Sequence, residues 1–535
     1  MSSSIHSAPV SVPNFMFVDF QQDNPENESI TKQKRVFAQR NYQRKKKLAA
    51  VERLKTSTQV FRQRLPLMYT PANDASSEVE EDRQGSGLAI TDTRRSRQTV
   101  QIAKMTEPPN TYLPLGQGFV DPFSSSVVPM TDIMNSYFHH LRHFTIRQSY
   151  PLDASRMSVW WWQKAIAEPA IQQALLCSAA SHQNAMNTLN NVPAQSMRRS
   201  IREFLRLRGD TIKTLNGILQ KSEAVAESTI LIVASLRAIE AISASFEGVA
   251  AHTKGLEVLI RLAGGLETIE HMVLSKVYHG DIMRAALTNS KPNLQLTARW
   301  RSEILQETTV FQSNDFLSQL SDKPEVFAQL SSLGTSFFES PWYAGLDHSM
   351  KTFLLVFQRL IQYYEVAQLR SSVTMPTDND LFVVYEHQIV STRYTAPNDL
   401  NEPIRLSLLI YLNMRVWHFQ SFPIMQYMVE PLRQSLISSL AHFKETAPNL
   451  LFWLLFIGGM ASQGHKGHLW FVSHLTEIMQ QLGIDEWERA RSILGGFFYT
   501  DQPEETGGED LWSEMLLKEN YPYIAPKPSF QEIML

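Results

Sequence analysis

The chain has 535 residues, 43% hydrophobic and 19% charged, which is ordinary for a globular protein and enough for one large core or several smaller ones. Its single cysteine, Cys177, excludes a disulfide framework and any cysteine-based zinc module, which needs about four to six thiolate or imidazole ligands at short spacing. Net charge is only −3, yet 12 of the 50 Lys and Arg residues fall within 32–64 against one acid, Glu52, so a basic arm stands on an acidic body.

The opening stretch "MSSSIHSAPVSVPNF" has no basic flank followed by an apolar run, so secretion is not expected. Residues 1–26 are rich in Ser, Pro and Asn and read as disordered. From 27 to 65 there is no Gly or Pro, and Arg, Lys, Gln, Ala and Leu dominate. These side chains lose little rotamer freedom in a helix, which predicts one long basic helix ended by Pro66. Residues 66–110 form a linker that carries the acidic patch "SSEVEEDRQGSG" and a small basic cluster, "TRRSRQ"; seven prolines fall within 66–130.

The remainder, 111–535, is expected to be one large all-α domain. "STILIVASLRAIEAISASF" (228–246) is apolar nearly all round, as in a helix packed on several sides. "MKTFLLVFQRLIQYYEVAQL" (350–369) and "IRLSLLIYLNMRVWHF" (404–419) repeat apolar residues at three and four, the helical period. Gly-Gly and Pro-containing turns separate such segments. The most apolar window, "LLFWLLFIGGMA" (450–461), has 12 residues, whereas a membrane span needs about 20, so it reads as a buried core helix. The expectation is a soluble, intracellular protein without a membrane partner.

Phosphates attract the arm wherever Lys and Arg can release condensed counterions. Lys32, Lys34, Arg35, Arg40, Arg44, Lys45, Lys46 and Lys47 would supply that attraction along a helix that fits a major groove. Gln39, Arg40, Asn41 and Gln43 have the chemistry to read base edges, Arg on guanine and Asn or Gln on adenine. Two blander readings stand beside this one. Arg44, Lys45, Lys46 and Lys47 could serve as a nuclear import signal alone, or the run could be a solvated or partner-binding helix. "AQRNYQRKKK" (38–47) resembles the basic region of basic leucine-zipper proteins, but Arg35 stands where that family's key Asn would be. The apolar seam Val51, Leu54, Thr58, Phe61 and Leu65 keeps 3–4 spacing for only about two heptads, short of a coiled coil. Such a seam could pair two chains weakly, or dock on the acidic body and cover the basic face.

Other motifs carry little chemistry. "HHLRH" sets His139 and His143 one helical turn apart, without a third ligand or an intervening Glu, and His465, His468 and His474 are no more convincing as metal ligands. Cys177 reads as a small buried hydrophobe. "GQGFVD" (116–121) lacks the strand and βαβ unit of a dinucleotide site. "VWWWQK" (159–164) reads as core packing at a helix start rather than an aromatic ligand pocket. No nucleophile elbow, P-loop or metalloprotease motif occurs, so no catalytic residue, metal ligand or cofactor is assigned.

Several stretches together resemble the fungal-specific transcription factor domain: "LGQGFVDPFSS" (115–125), "HTKGLEVLIRLAGGL" (252–266), "LLFWLLFIGGMA" followed by "LWFVSHL" (469–475), and "LGGFFYTDQPEETGGEDLW" (494–512). The resemblance spans roughly 110–520 and is closest to a subgroup that lacks the zinc binuclear cluster and carries a basic stretch in its place. It implies an all-helical regulatory domain and a nuclear regulator of a metabolic or secondary-metabolite gene set. Its expected partners are DNA, the transcription machinery or another DNA-bound factor, with a homodimer and a small-molecule effector as further expectations. One rival is a nuclear co-regulator that touches no DNA. The other is an all-helical enzyme, against which stands the lack of any nucleophile, metal or phosphate constellation.

Overall fold

A computed structural model describes residues 131–520 except 190–193, 221–225, 309, 312–314, 371–373, 397–398, 421 and 501–506. The expected disordered start 1–26, the basic helix 27–65 with all its candidate contacts, the linker 66–110 and the motif at 115–125 lie outside the described residues. Within them every regular element is helical, as the period of three and four requires.

Short polar side chains start several of these helices by accepting an otherwise orphaned backbone N–H. Thr131 Oγ1 accepts from Met134 N at 3.3 Å and opens α1 (Asp132–His140). A π-helical turn (Leu141–Thr145) then leads into α2 (Ile146–Ser149). Asp153 caps α3 (Ala154–Ala167) in the same way. The hairpin of α4 (Pro169–Leu189) and α5 (Ala194–Leu219) follows, then α6 (Glu227–Ile242), α7 (Phe246–Leu262) and α8 (His271–Leu287). The Gly264–Gly265 turn after α7 has φ of 97° and 101°, a region that side chains with a Cβ rarely adopt. It sends the chain back so that α8 runs parallel to α6, with Glu270 N on Glu227 Oε1 (2.6 Å) at one end and Arg237 on the Val277 carbonyl further along. As expected from its all-round apolar sequence, α6 packs against α4, α7 and α8.

Shorter helices α9 (Ala298–Glu307), α10 (Asp315–Ser318), α11 (Pro324–Ser332) and α12 (Thr335–Glu339) lead to α13 (His348–Leu369) and α14 (Asp378–Ser391). The last layer is α15 (Asn401–Arg415), α16 (Ile424–Thr446), α17 (Pro448–Ala461), α18 (His468–Leu482), α19 (Trp487–Gly496) and α20 (Gly507–Asn520). Each of α15 to α17 packs on the next, and α17 lies inside, touching α15, α16, α18, α19 and α20. Leu450 to Gly459 of α17 are all buried, so its apolar window is a core helix. Trp453 anchors it: its ring meets Phe337, Phe497 and Phe498, and its Nε1 donates to the Phe498 carbonyl at 2.9 Å. Each fully buried large apolar side chain contributes roughly 1.5–3 kcal/mol relative to exposure.

Gly458 and Gly459 do not make a turn; they sit within α17. A Cβ on Gly458 would overlap the Phe471 ring, and one on Gly459 would lie 2.9 Å from Leu511 and 3.1 Å from Leu475. Their bare faces let α18 and α20 press close to α17. The early and late layers meet through α14 and α16, both of which pack on α8.

Candidate functional site

A charged group inside a helical protein costs several kcal/mol unless it is paired or bonded, so charged residues on otherwise apolar helices mark where the chain accepts that cost. Four stand out here: Arg237 on α6, Glu365 on α13, Glu386 on α14 and Arg415 on α15, all buried.

Two of them pair. Arg415 Nε and Nη2 donate to the two oxygens of Glu365 at 2.8 and 2.7 Å, a bidentate fork. Thr500 closes the group, donating to Glu365 Oε1 at 2.7 Å while the Tyr411 hydroxyl lies 3.1 Å from its Oγ1. The guanidinium also sits over the Tyr364 ring at 5.1 Å. These bonds tie α13, α15 and the segment after α19 together.

Glu386 has no cation partner among the described residues. It accepts from Asn413 Nδ2 at 2.8 Å and from Trp417 Nε1 at 3.1 Å. Burial pushes its carboxyl up to about 8, so the acid is largely protonated at neutral pH. Trp417 lies in the tight link between α15 and α16, where His418 takes a left-handed φ of 52° and its carbonyl accepts from Gln148 Nε2 at 2.8 Å. The other side of the Trp417 ring meets His279 of α8, ring centres 4.5 Å apart. Burial pushes His279 down to about 3, and its Nε2 has no partner among the described residues.

The π turn lies beside this link, forming with it a charged joint between the early and late layers: Thr145 Oγ1 is 3.3 Å from His182 Nδ1, and the His182 ring stacks on Phe422. The turn carries the helix past His140, whose Nε2 lies 2.7 Å from His182 Nδ1 on α4. Burial pushes His140 down to about 4 and holds His182 well below the usual histidine range, so both are neutral and share one proton donor between facing nitrogens. Near the surface the logic reverses. His271 loses affinity for a proton through burial, but hydrogen bonds to Asp380 (2.9 Å) and Glu303 (2.6 Å) more than restore it.

A cleft of about 210 Å3 opens between α3, α4, α6 and α8, lined in part by Lys164, Glu168, Glu227 and Leu231. Drug-sized ligands occupy pockets of about 300–1,000 Å3, and Arg237, Glu365, Glu386 and Arg415 do not line this cleft. The aromatic run lies in the second half of α3 rather than at a helix start, and only part of it packs inward: Trp161 is buried with its Nε1 donating to the Tyr150 hydroxyl, Trp162 meets Phe138, Trp160 donates to Glu270, and Val159 is exposed.

The DNA-contact candidates Lys34, Arg35, Gln39, Arg40, Asn41, Gln43, Arg44, Lys45, Lys46 and Lys47 lie outside the described residues. His139 and His143 stack on each other, ring centres 4.2 Å apart. His468 bonds to Glu514 while His474 pairs with Glu477, and His465 joins neither. Among the described residues no group of three His, Cys, Asp or Glu is placed to hold a metal ion, and no helix is long and apolar enough to cross a membrane. Cys177 is fully buried, as a small hydrophobe would be. Sequence reading passed over the charged joint, although its signal was there: "ASLRAIE", "YYEVA", "VVYEHQ" and "NMRVW" each set a charge in an apolar run.

Comparison with curated proteins and with solved structures returns no match. The model of the fungal specific transcription factor domain matches residues 136–496, from within α1 to the end of α19, and so takes in the charged joint apart from Thr500. With about two thirds of its length under that match and an all-helical body, the chain belongs to the fungal-specific transcription factor domain family, whose members are regulators of transcription and not enzymes.

Proposed function

We propose that this transcription regulator works in the nucleus and grips DNA through the basic segment 27–65, while the helical body senses a small molecule and holds partners, a second copy of the chain among them. The observation that carries the reading is the charge imbalance: 12 Lys and Arg against one acid within 32–64, on a chain whose net charge is −3. Lys34, Arg35 and Arg44 to Lys47 would neutralise phosphates, and Gln39, Arg40, Asn41 and Gln43 would face base edges. The four-residue cluster Arg44 to Lys47 also has the composition that import receptors read. A metabolic or secondary-metabolite gene set is the target this family membership suggests.

A salt titration of duplex binding by the full chain tests the reading. Counterion release makes log affinity fall linearly with log salt, by about 0.9 per phosphate contact. Replacing Arg40 and Arg44 by Ala should weaken binding and flatten the slope by about 1 for each contact removed, with helical content unchanged. Arg35, standing where a basic-zipper Asn would be, favours the second reading of a co-regulator recruited by another DNA-bound factor. Absence of duplex binding at low salt would select that reading.

A further inference from the structure

Among the helices α1 to α20, α5 carries six Lys and Arg, and no other carries more than two. Its inward side is ordinary: Leu207, Thr211, Ile212 and Leu215 are buried, Thr214 donates to Gln173 of α4 at 2.7 Å, and Arg208 turns in to Glu240 of α6 at 2.6 Å. Its outward side is not. Arg198, Arg199, Arg202, Arg206 and Lys213 are all exposed, and at 3.6 residues per turn they fall within about 100° of arc, on one face about 22 Å long. The two acids of α5, Glu203 and Asp210, both bond to Arg206, at 3.1 and 2.9 Å. Arg199, Arg202 and Lys213 have no ion pair among the described residues.

Such a face works against its own helix, because Arg198 with Arg202, Arg199 with Arg202 and Arg202 with Arg206 set like charges three and four residues apart. Nor does it share the balance of its surroundings: outside 32–64 the chain has 52 Asp and Glu against 38 Lys and Arg. Four of the five cations are arginines, whose planar guanidinium forks onto paired anionic oxygens. A membrane surface is the poorer match. Insertion needs the apolar side of a helix, and here that side is packed on α4, leaving Leu205 as the one large apolar side chain exposed on α5. The face also stands where the chain enters the body. Tyr137 of α1 bonds to Ser200 of α5, with the charges of Arg206 and Arg199 close enough to act on its hydroxyl, and the described residues begin less than two turns before it.

We propose that the exposed face of α5 is a second contact for duplex DNA, in which Arg198, Arg199, Arg202 and Lys213 neutralise backbone phosphates without reading sequence. The inference rests on the reading of this chain as a regulator that contacts DNA. A duplex presents about 13 phosphates over about 22 Å of its axis, enough to meet every cation of the face. Phosphate contacts fix orientation and base contacts fix the site. The basic segment 27–65 therefore chooses the sequence, and α5 holds the helical body in one orientation on the duplex.

Duplex binding by the full chain, titrated against salt, tests this with Arg198→Gln, Arg199→Gln and Arg202→Gln combined. Gln is nearly as good a helix former as Arg and the three side chains are exposed, so circular dichroism and melting should match the natural protein. Each lost phosphate contact flattens log affinity against log salt by about 0.9, hence by about 2.7 for three, equally on duplexes of unrelated sequence. Lys at the same three positions should keep the slope, because charge carries the contact. Adding the three Gln substitutions to Arg40→Ala and Arg44→Ala separates the two contacts. A slope that the Gln substitutions leave unchanged in both backgrounds overturns the proposal while contact by the basic segment stands. A slope that responds to them but not to Arg40→Ala and Arg44→Ala upholds the proposal and removes that other contact. Tighter duplex binding by the Gln variant overturns it too, since the face would then hold carboxylates of the chain itself, such as Glu78 to Asp82, in competition with DNA. So does absence of duplex binding at low salt.

Discussion

Helices α6 and α17 are buried to the same degree by neighbours on every side, yet they are built on opposite terms. The interior of α17, from Leu450 to Gly459, is apolar throughout, and bare glycine faces bring its neighbours closer still. The interior of α6 includes Thr229, Ser235, Arg237 and Glu240, and α8 beside it carries His279, whose ring packs on Trp417. Burial therefore does not separate the two regions; what does is how each core answers to charge. The interior of α17 carries no ionisable side chain. The joint of α6, α8, α14 and the α15–α16 link holds protonatable groups out of water and should respond to pH.

Acid offers the harshest way to break this contrast. His140, His252 and His418 are pushed down to about 4 by burial, and His279 to about 3, against 6.5 when unfolded. Below pH 6.5 the unfolded chain binds protons that the native state refuses, so stability falls as pH drops from 6.5 towards 4. Each tenfold loss of proton affinity on folding is worth about 1.4 kcal/mol per site, and four sites together rival the whole margin of about 5–15 kcal/mol of a folded domain. Thermal unfolding across that range should show the loss, with the Trp417 environment changing before the Trp453 one. Simultaneous change of both would mean the two regions are not distinct.

Next in size, Leu454→Ala should cost about 2–5 kcal/mol by urea unfolding, equally at pH 5.5 and pH 8, because Leu454 is fully buried in a helix interior that carries no ionisable side chain from Leu450 to Gly459. Arg237→Met should go the other way, leaving stability unchanged or raising it by about 1–4 kcal/mol, since an unpaired buried charge is replaced by an apolar chain of similar length. A large loss would show that the bond from Arg237 to the Val277 carbonyl outweighs the cost of burying its charge. The smallest effect is the most specific. Glu386 is raised from 4.5 to about 8, so the stability it confers below pH 4.5 is lost as pH rises towards 8. Glu386→Gln removes this dependence, and its melting temperature should gain on the natural protein between pH 4.5 and 8, then stay level.

Periodicity made the helical body legible, down to the buried character of 450–461 and of most of 228–246, although the helix expected to run on to Phe246 ends at Ile242 and Phe246 opens α7 as an exposed residue. Two features were not legible for definite physical reasons. The charges of the joint stood in plain view, but their partners come from far along the chain: Arg415 and Glu365 are 50 residues apart, and Glu365 and Thr500 are 135 apart. A periodic pattern reports which face is buried, not what that face meets. Gly458–Gly459 carries the same letters as the turn at Gly264–Gly265, but it serves close packing against Phe471, Leu475 and Leu511 inside a helix. The π turn at Leu141–Thr145 has no sequence mark of its own, because one extra residue per turn changes register and not composition.

The Arg415–Glu365–Thr500 group also fixes an order of events during synthesis. Its last member lies 85 residues after Arg415, so both earlier partners leave the ribosome and must wait through the making of α16 to α19 before the hydroxyl that completes them arrives. The late layer therefore cannot finish folding as it emerges, and for those seconds the nascent chain presents an ion pair lacking its third partner, a natural point for a chaperone to hold it.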